Sequence, residues 1–208
     1  MGRLARRRLV VAGPAALAGA AVPSLLRAAG LLLTPPQTEG PFYPVELPSD
    51  RDADLVRVTG ADARAIGIVT HVTGRVLDRA GRPLPGVQVE IWQCDANGRY
   101  RHPLESSGRP LDVGFQGYGR ALTDEGGGYR FRTIRPVPYP GRTPHIHFKL
   151  SGAGGELLTT QMYVAGEPGN ERDFLLNAVR DPDRRAGLIV DLRPAGTVEA
   201  GALLGTFD

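Results

Sequence analysis

Val87-Gln88-Val89-Glu90-Ile91-Trp92 alternates apolar and polar side chains at period two. Successive side chains of a strand point to opposite faces, so this stretch reads as a half-buried β-strand. Upstream, Ile68 to Leu77 is β-branched and strand-like, and Asp78-Arg79-Ala80-Gly81-Arg82-Pro83 between the two is a turn. Downstream the arrangement recurs: Arg120 to Thr123 leads through Asp124-Glu125-Gly126-Gly127-Gly128 into Tyr129 to Thr133. Pro144 to Leu150, Leu157 to Val164, Gly187 to Leu192 and Leu203 to Phe207 supply further strands, and one short helix is expected over Asp173 to Arg180. Short strands at regular spacing, in a chain with 28 glycines and 18 prolines, predict an all-β fold. The expectation is an antiparallel β-sandwich core with long loops and at most a short helix. Thr34 to Asp52 is rich in Pro, Thr and Gly, which predicts an extended N-terminal arm over 31–66 before a single sandwich domain over 67–208.

At 208 residues, with 41% hydrophobic and 23% charged residues, the chain suits one soluble globular domain with a real core. Its formal charge of +3 is concentrated at the start. Arg3, Arg6, Arg7, Arg8 and Arg27 fall within residues 1–30, which hold no acid, so the remainder carries three minus five, or −2. That distribution excludes a nucleic-acid reading. Cys94 is the single cysteine, so no intramolecular disulfide forms, and a small buried residue is the expected role.

Residues 1–30 read as an address. Arg6-Arg7-Arg8 stands directly before an apolar, small-residue run that extends to about Leu26, the pattern of a secretory signal of the twin-arginine type. Export to the periplasm or the outside follows. Ala18-Gly19-Ala20 and Arg27-Ala28-Ala29 both offer cleavage regions, and an uncleaved anchor is the alternative that Gly13, Pro14 and Pro23 disfavour.

The sharpest chemical signal is His145-Ile146-His147. On a strand the two imidazoles project to one face and Ile146 to the other, which is a natural half of a metal site. Two of the chain's four histidines fall here. No carboxylate or second cysteine lies nearby in a zinc-like arrangement. Tyr139, held between Pro138 and Pro140, is six residues before the first histidine, and Tyr100 ends the run that follows the Val87 strand. Tyrosine hydroxyls are weak acids with a pKa of about 10, but a hard trivalent cation favours their anions. Two tyrosines with two histidines therefore make chemical sense around iron(III).

Several motifs together resemble the intradiol ring-cleavage dioxygenase family. Gly74, Val76, Gly81, Leu84, Val89-Glu90-Ile91, Gly98 and Tyr100 fall at the family's spacing. Tyr129 to Pro136, Tyr139-Pro140, Pro144-His145-Ile146-His147-Phe148 and Thr159-Thr160-Gln161-Met162-Tyr163 follow in order, and Thr38-Glu39-Gly40-Pro41-Phe42-Tyr43-Pro44 resembles the entry segment. The likeness is strongest to protocatechuate 3,4-dioxygenase-like subunits. It implies a mononuclear non-haem iron(III) enzyme with Tyr100, Tyr139, His145 and His147 as ligands, Tyr139 leaving the metal when substrate arrives. It implies that Arg142 faces the substrate and that Gln161 lies beside it in the pocket. The implied substrates are a catechol-type ring and dioxygen, and the implied product is a cis,cis-muconate-type diacid. Whether the chain forms a homo- or hetero-oligomer stays open, since protocatechuate members pair two different subunits. The strand–turn–strand from Gly74 to Trp92 also resembles non-catalytic binding modules of the carboxypeptidase-regulatory and adhesin type, which have no reason to gather these four side chains.

Overall fold

A computed structural model describes residues 32–208. The leader expected over 1–30 lies outside the described residues, and among those described no helix is long and apolar enough to cross a membrane. Six strands come first: β1 (Val69–Arg75), β2 (Gln88–Trp92), β3 (Tyr118–Leu122), β4 (Gly128–Ile134), β5 (His145–Gly152) and β6 (Gly155–Val164). A 3-10 turn at Pro168–Arg172 and the short helices α1 (Phe174–Ala178) and α2 (Pro182–Ala186) follow, then β7 (Ile189–Val190), β8 (Arg193–Pro194) and β9 (Leu203–Thr206).

The strands form two sheets, ordered β4-β1-β9-β8 and β3-β2-β5-β6-β7. Both are mixed, which corrects the expectation of a purely antiparallel sandwich: β9 runs parallel to β1 and β7 parallel to β6. A parallel pair needs a crossover, and the segment carrying α1 and α2 provides it between β6 and β7. The expectation of one helix over Asp173 to Arg180 is corrected as well. The 3-10 turn and α2 are additional, and the run from Gly187 to Leu192 contributes only a two-residue strand. Asp181 caps α2 by accepting from the Asp183 and Arg184 amides, with Pro182 in the first turn.

Period-two alternation assigns the faces. Val89 and Ile91 of β2, Ile146 and Phe148 of β5 and Met162 of β6 meet Val72 of β1 with Phe131 and Tyr129 of β4 in the main core. The opposite face of the five-stranded sheet is also covered. Trp92, Cys94, Tyr100 and Tyr118 form a second cluster there, against which Phe42, Tyr43, Val137 and Tyr139 pack. Residues 32–66 contain no regular strand or helix, and they lie against the body rather than away from it. Leu55 and Val56 enter the main core, while residues 35–43 cross the outer face of the second sheet.

That crossing is fastened at many points. The Thr160 hydroxyl donates to the Pro35 carbonyl (2.8 Å), the Gln37 amide to the Thr159 carbonyl (2.8 Å) and the Tyr163 hydroxyl to Gln37 Oε1 (2.9 Å). Lys149 pairs with Glu39, and the Tyr43 hydroxyl donates to the buried Glu90 carboxylate (2.9 Å), which also accepts from Tyr118. The arm thus forms a roof, and what lies beneath it is the row of side chains described next.

Candidate metal centre

Register builds the site. Directly paired residues of neighbouring strands share a face, and Trp92 of β2, His147 of β5 and Gln161 of β6 are paired in one line. His145 pairs with Tyr163 in the adjacent position on that face. Ile146 is fully buried in the main core, so the two histidines stand together beneath the arm as the alternation requires.

The His145 and His147 rings converge until their Nε2 atoms are 3.2 Å apart. His145 Nδ1 lies 2.7 Å from the Thr143 carbonyl, which fixes the proton on Nδ1 and leaves the Nε2 lone pair free. Trp92 stacks on His147 with ring centres 4.8 Å apart and an interplanar angle of 9°. Burial, reinforced by the charge of Arg142, pushes His145 down to about 3, and burial followed by the neighbouring His145 holds His147 well below the usual imidazole range. Both rings are therefore neutral, the form that binds a metal.

Two tyrosines complete the cluster. After β2, Asp95 closes a tight turn by accepting from the Asn97 and Arg99 amides, and the chain swings Tyr100 back over the sheet. Its ring is stacked by Phe42 of the arm at 4.6 Å and stands edge-on to Tyr139 at 5.5 Å. Tyr139 begins a four-residue turn in which the Arg142 amide donates to the Tyr139 carbonyl at 2.9 Å. Pro140 and Gly141, with φ +83° at Gly141, meet the demands of a type II turn, and this sets Tyr139 beside Arg142. Tyr139 is half-buried and its ring lies 5.4 Å from that of His145.

Do these residues fit a metal ion? Among the described residues no group of three His, Cys, Asp or Glu is placed to hold one, so a carboxylate or thiolate site is not offered. The four-residue set of two imidazoles and two phenols is different. The Tyr100 hydroxyl and His147 Nδ1 are buried with no partner in good hydrogen-bond geometry, and a polar neighbour of the Tyr100 oxygen is the other phenol, Tyr139. An orphaned buried hydroxyl costs roughly 1–3 kcal/mol, and a cation reached by its oxygen would remove that penalty. Two imidazole nitrogens sharing one ion at about 2.1 Å and a near-right angle would stand about 3 Å apart, close to the observed spacing. Burial holds the Tyr100 phenol well above 10 and raises Tyr139, an effect the Arg142 charge opposes at Tyr139. A hard cation reverses that balance by favouring the phenolate. The donor set therefore fits a hard, highly charged metal.

Arg142 is held almost out of solvent. Its Nε donates to Asp173 at 2.8 Å, and its Nη2 to Gln161 Oε1 at 2.6 Å and to the Tyr163 hydroxyl at 3.3 Å. Gln161 is fully buried, and its amide nitrogen donates to the Thr38 carbonyl of the arm at 3.0 Å. Beneath the roof, a Cβ added at Gly40 would sit 3.4 Å from His147 Cε1, and φ of +75° there also favours glycine. Cys94 is buried, donates to the Val137 carbonyl and is pushed up to about 12 by burial, so it packs rather than reacts.

All six side chains singled out in the sequence thus meet at one place. Trp92, Phe42, Gly40, Tyr163 and Asp173 also belong to it and were not foreseen as parts of the site. Cross-strand register places Trp92 and Tyr163, and no local pattern encodes that. Gly40, Phe42 and Tyr163 lie in the family-like motifs without a role, and Asp173 stands as the first residue of the expected helix.

The profile of the dioxygenase family matches residues 38–202, which takes in most of the arm, strands β1 to β8 and all six of these residues. This chain belongs to the intradiol ring-cleavage dioxygenase family. The dioxygenase is 38% identical over 173 residues to the protocatechuate 3,4-dioxygenase beta chain of Burkholderia cepacia, covering 79% of this chain and 73% of that one. It is 33% identical over 177 residues to the catechol 1,2-dioxygenase of Acinetobacter baylyi, where the match covers 76% of this chain and 53% of the relative's length. Among solved structures, it resembles the dioxygenase domain of a dioxygenase–carbohydrate-binding protein fusion from Streptomyces sp. SirexAA-E. That match has a TM-score of 0.64 and 37% identity, and it covers 84% of this dioxygenase and 95% of that domain.

Proposed function

We propose that Tyr100, Tyr139, His145 and His147 hold a mononuclear ferric ion, and that the enzyme opens a catechol-type ring between its two hydroxylated carbons. The observation that carries this reading is the pair of Nε2 atoms 3.2 Å apart beside a buried Tyr100 hydroxyl with no partner in good hydrogen-bond geometry. A ferric ion bound there would supply Lewis acidity toward a catechol and a template for its reaction with dioxygen.

The chain's own side chains do the rest. His145 and His147 remain neutral donors, oriented by the Thr143 carbonyl and by the Trp92 ring. Tyr100 is clamped by Phe42 and stays in place, whereas Tyr139 stands half-buried on a turn and is the phenol free to swing aside. Its oxygen then takes a proton from a catechol hydroxyl as general base. The Arg142 guanidinium stabilises negative charge that grows on the ring, and Gln161 holds it in place. In the net reaction the bond between the two hydroxylated carbons breaks and each carbon gains one atom of dioxygen. The product is a cis,cis-muconate-type diacid, with no other reductant consumed. Export by the twin-arginine route, supported by Arg6-Arg7-Arg8 ahead of an apolar run, would deliver the enzyme folded and loaded.

Colour tests the metal reading. Protein purified from cells supplied with both iron and zinc should carry stoichiometric iron and be burgundy from phenolate-to-iron charge transfer. Tyr100→Phe or His147→Ala should bleach it. Stoichiometric zinc with no iron would refute the ligand assignment. Added catechol should consume an equal amount of dioxygen and yield the diacid.

A further inference from the structure

We infer that Asp173 is the positioning residue for Arg142, a carboxylate that aims the guanidinium at the metal centre by fastening it to the first turn of α1. The inference rests on Arg142 acting on the substrate as proposed above. Asp173 is fully buried and accepts four hydrogen bonds. Oδ1 takes the Leu175 and Leu176 amides (3.1 and 3.0 Å) as the cap of α1. Oδ2 takes Arg142 Nε (2.8 Å) and the Thr143 amide (3.1 Å).

A helix cap needs one neutral oxygen, and serine or asparagine serves as well as aspartate. The second oxygen and the negative charge therefore exceed what capping demands, and both are directed at Arg142 and the residue after it. The opposite side of the guanidinium is gripped by Gln161 and Tyr163 through Nη2, while the Phe174 ring lies 5.7 Å from its carbon. Nε and Nη2 are thus committed, and the guanidinium also lies close enough to the Tyr139 phenol to oppose the rise that burial gives it. The grip leaves Nη1 as the remaining donor for a bound ring. Because Asp173 also caps α1, the position of that helix is transmitted to the guanidinium.

The test compares Asp173→Ser and Asp173→Asn with wild type and with Arg142→Leu, using protein as purified. Both Asp173 variants keep a helix cap and remove the charge. They should retain iron and the visible band, and added catechol should still shift that band. Their kcat should fall about a hundredfold, with KM within about threefold, because a group displaced by about 1 Å loses its effect on the reacting state. In the double variant Arg142→Leu/Asp173→Asn, kcat should be no lower than in Arg142→Leu alone, since both changes remove one function. A readout that needs no turnover is the reaction of Arg142 with phenylglyoxal, followed by the mass of its peptide. The reaction should be slow in wild type and several-fold faster in both Asp173 variants.

Wild-type kcat in the Asp173 variants, unchanged phenylglyoxal reactivity, or losses that add in the double variant would overturn the assignment. Should one Asp173 variant fail to fold, the other carries the comparison. If wild-type protein turns over no catechol at all, the activity reading falls, and the phenylglyoxal rates still decide whether Asp173 fixes Arg142.

Discussion

Glu199 contacts none of the residues of the candidate metal centre, yet it ties three parts of the chain together, and Glu199→Gln should show how much that knot contributes. Arg132 of β4 places Nε and Nη2 on Glu199 at 2.8 and 2.7 Å, while its Nη1 reaches both oxygens of Asp54 in the arm at 2.9 and 3.0 Å. His71 Nε2 of β1 lies 3.1 Å from the second Glu199 oxygen. The Arg132 fork is the main reason that the Glu199 carboxyl is held at about 2 instead of its ordinary 4.5. Taken at face value that displacement is worth roughly 3 kcal/mol. The Glu199 side chain is 25% exposed, so solvent screening brings the expected contribution nearer 1–2 kcal/mol. A carboxyl whose folded value is depressed stabilises the fold above its unfolded value, and that stability fades as pH falls from 4.5 toward 2. Urea unfolding of wild type and Glu199→Gln at pH 7 should therefore differ by about 1–2 kcal/mol, with a gap that shrinks steadily below pH 4.5. Equal stability at pH 7, or a gap that persists unchanged to pH 2.5, would refute the reasoning.

Three further outcomes follow from the proposed site and the proposed export signal. Arg142→Leu should keep iron and colour but lose about a hundredfold in turnover, and stranding the buried Asp173 carboxylate should cost about 3–5 kcal/mol in urea. Gly40→Ala and Gly60→Ala, which share a left-handed backbone, should each lose about 1 kcal/mol, but only at Gly40 does the added methyl touch the His147 ring, at 3.4 Å, so only Gly40→Ala should lower iron content, measured by metal analysis. Replacing Arg6, Arg7 and Arg8 together by Lys should hold activity in the cytoplasm, measured by cell fractionation, because a twin-arginine receptor reads guanidinium groups.

Local pattern made much of this molecule legible. Alternation from Val87 to Trp92 and the β-branched run near Val69 declare strands because a strand's period depends only on neighbours in sequence. The same period sends His145 and His147 to one face, and the Pro-bracketed Tyr139 lies within reach of them. What escaped depends on partners distant in sequence. Nothing in Leu203 to Thr206 says that it will lie parallel to Thr70–Thr73, and nothing in Trp92 says that it will face His147. The buried pairing of Arg142 with Asp173 spans a strand hairpin and a 3-10 turn, so spacing could not announce it. Helix α2 is the exception. Its Asp181-Pro182 start is a local signal that the short length of the helix concealed.

The line Trp92–His147–Gln161 has a consequence for assembly. Were β5 to slip by one residue against its neighbours, Ile146 and Phe148 would take the outer face and both imidazoles would turn into the apolar core. Both faces are buried, so the cost comes from chemistry: two polar rings would sit among apolar side chains, and two apolar side chains would meet the polar groups of Gln161 and Arg142, so correct pairing and donor placement are selected together. Loading with the proposed ion would then report strand alignment: a chain folded out of register has nothing to offer an ion, and a chain folded in register presents its imidazoles already converged.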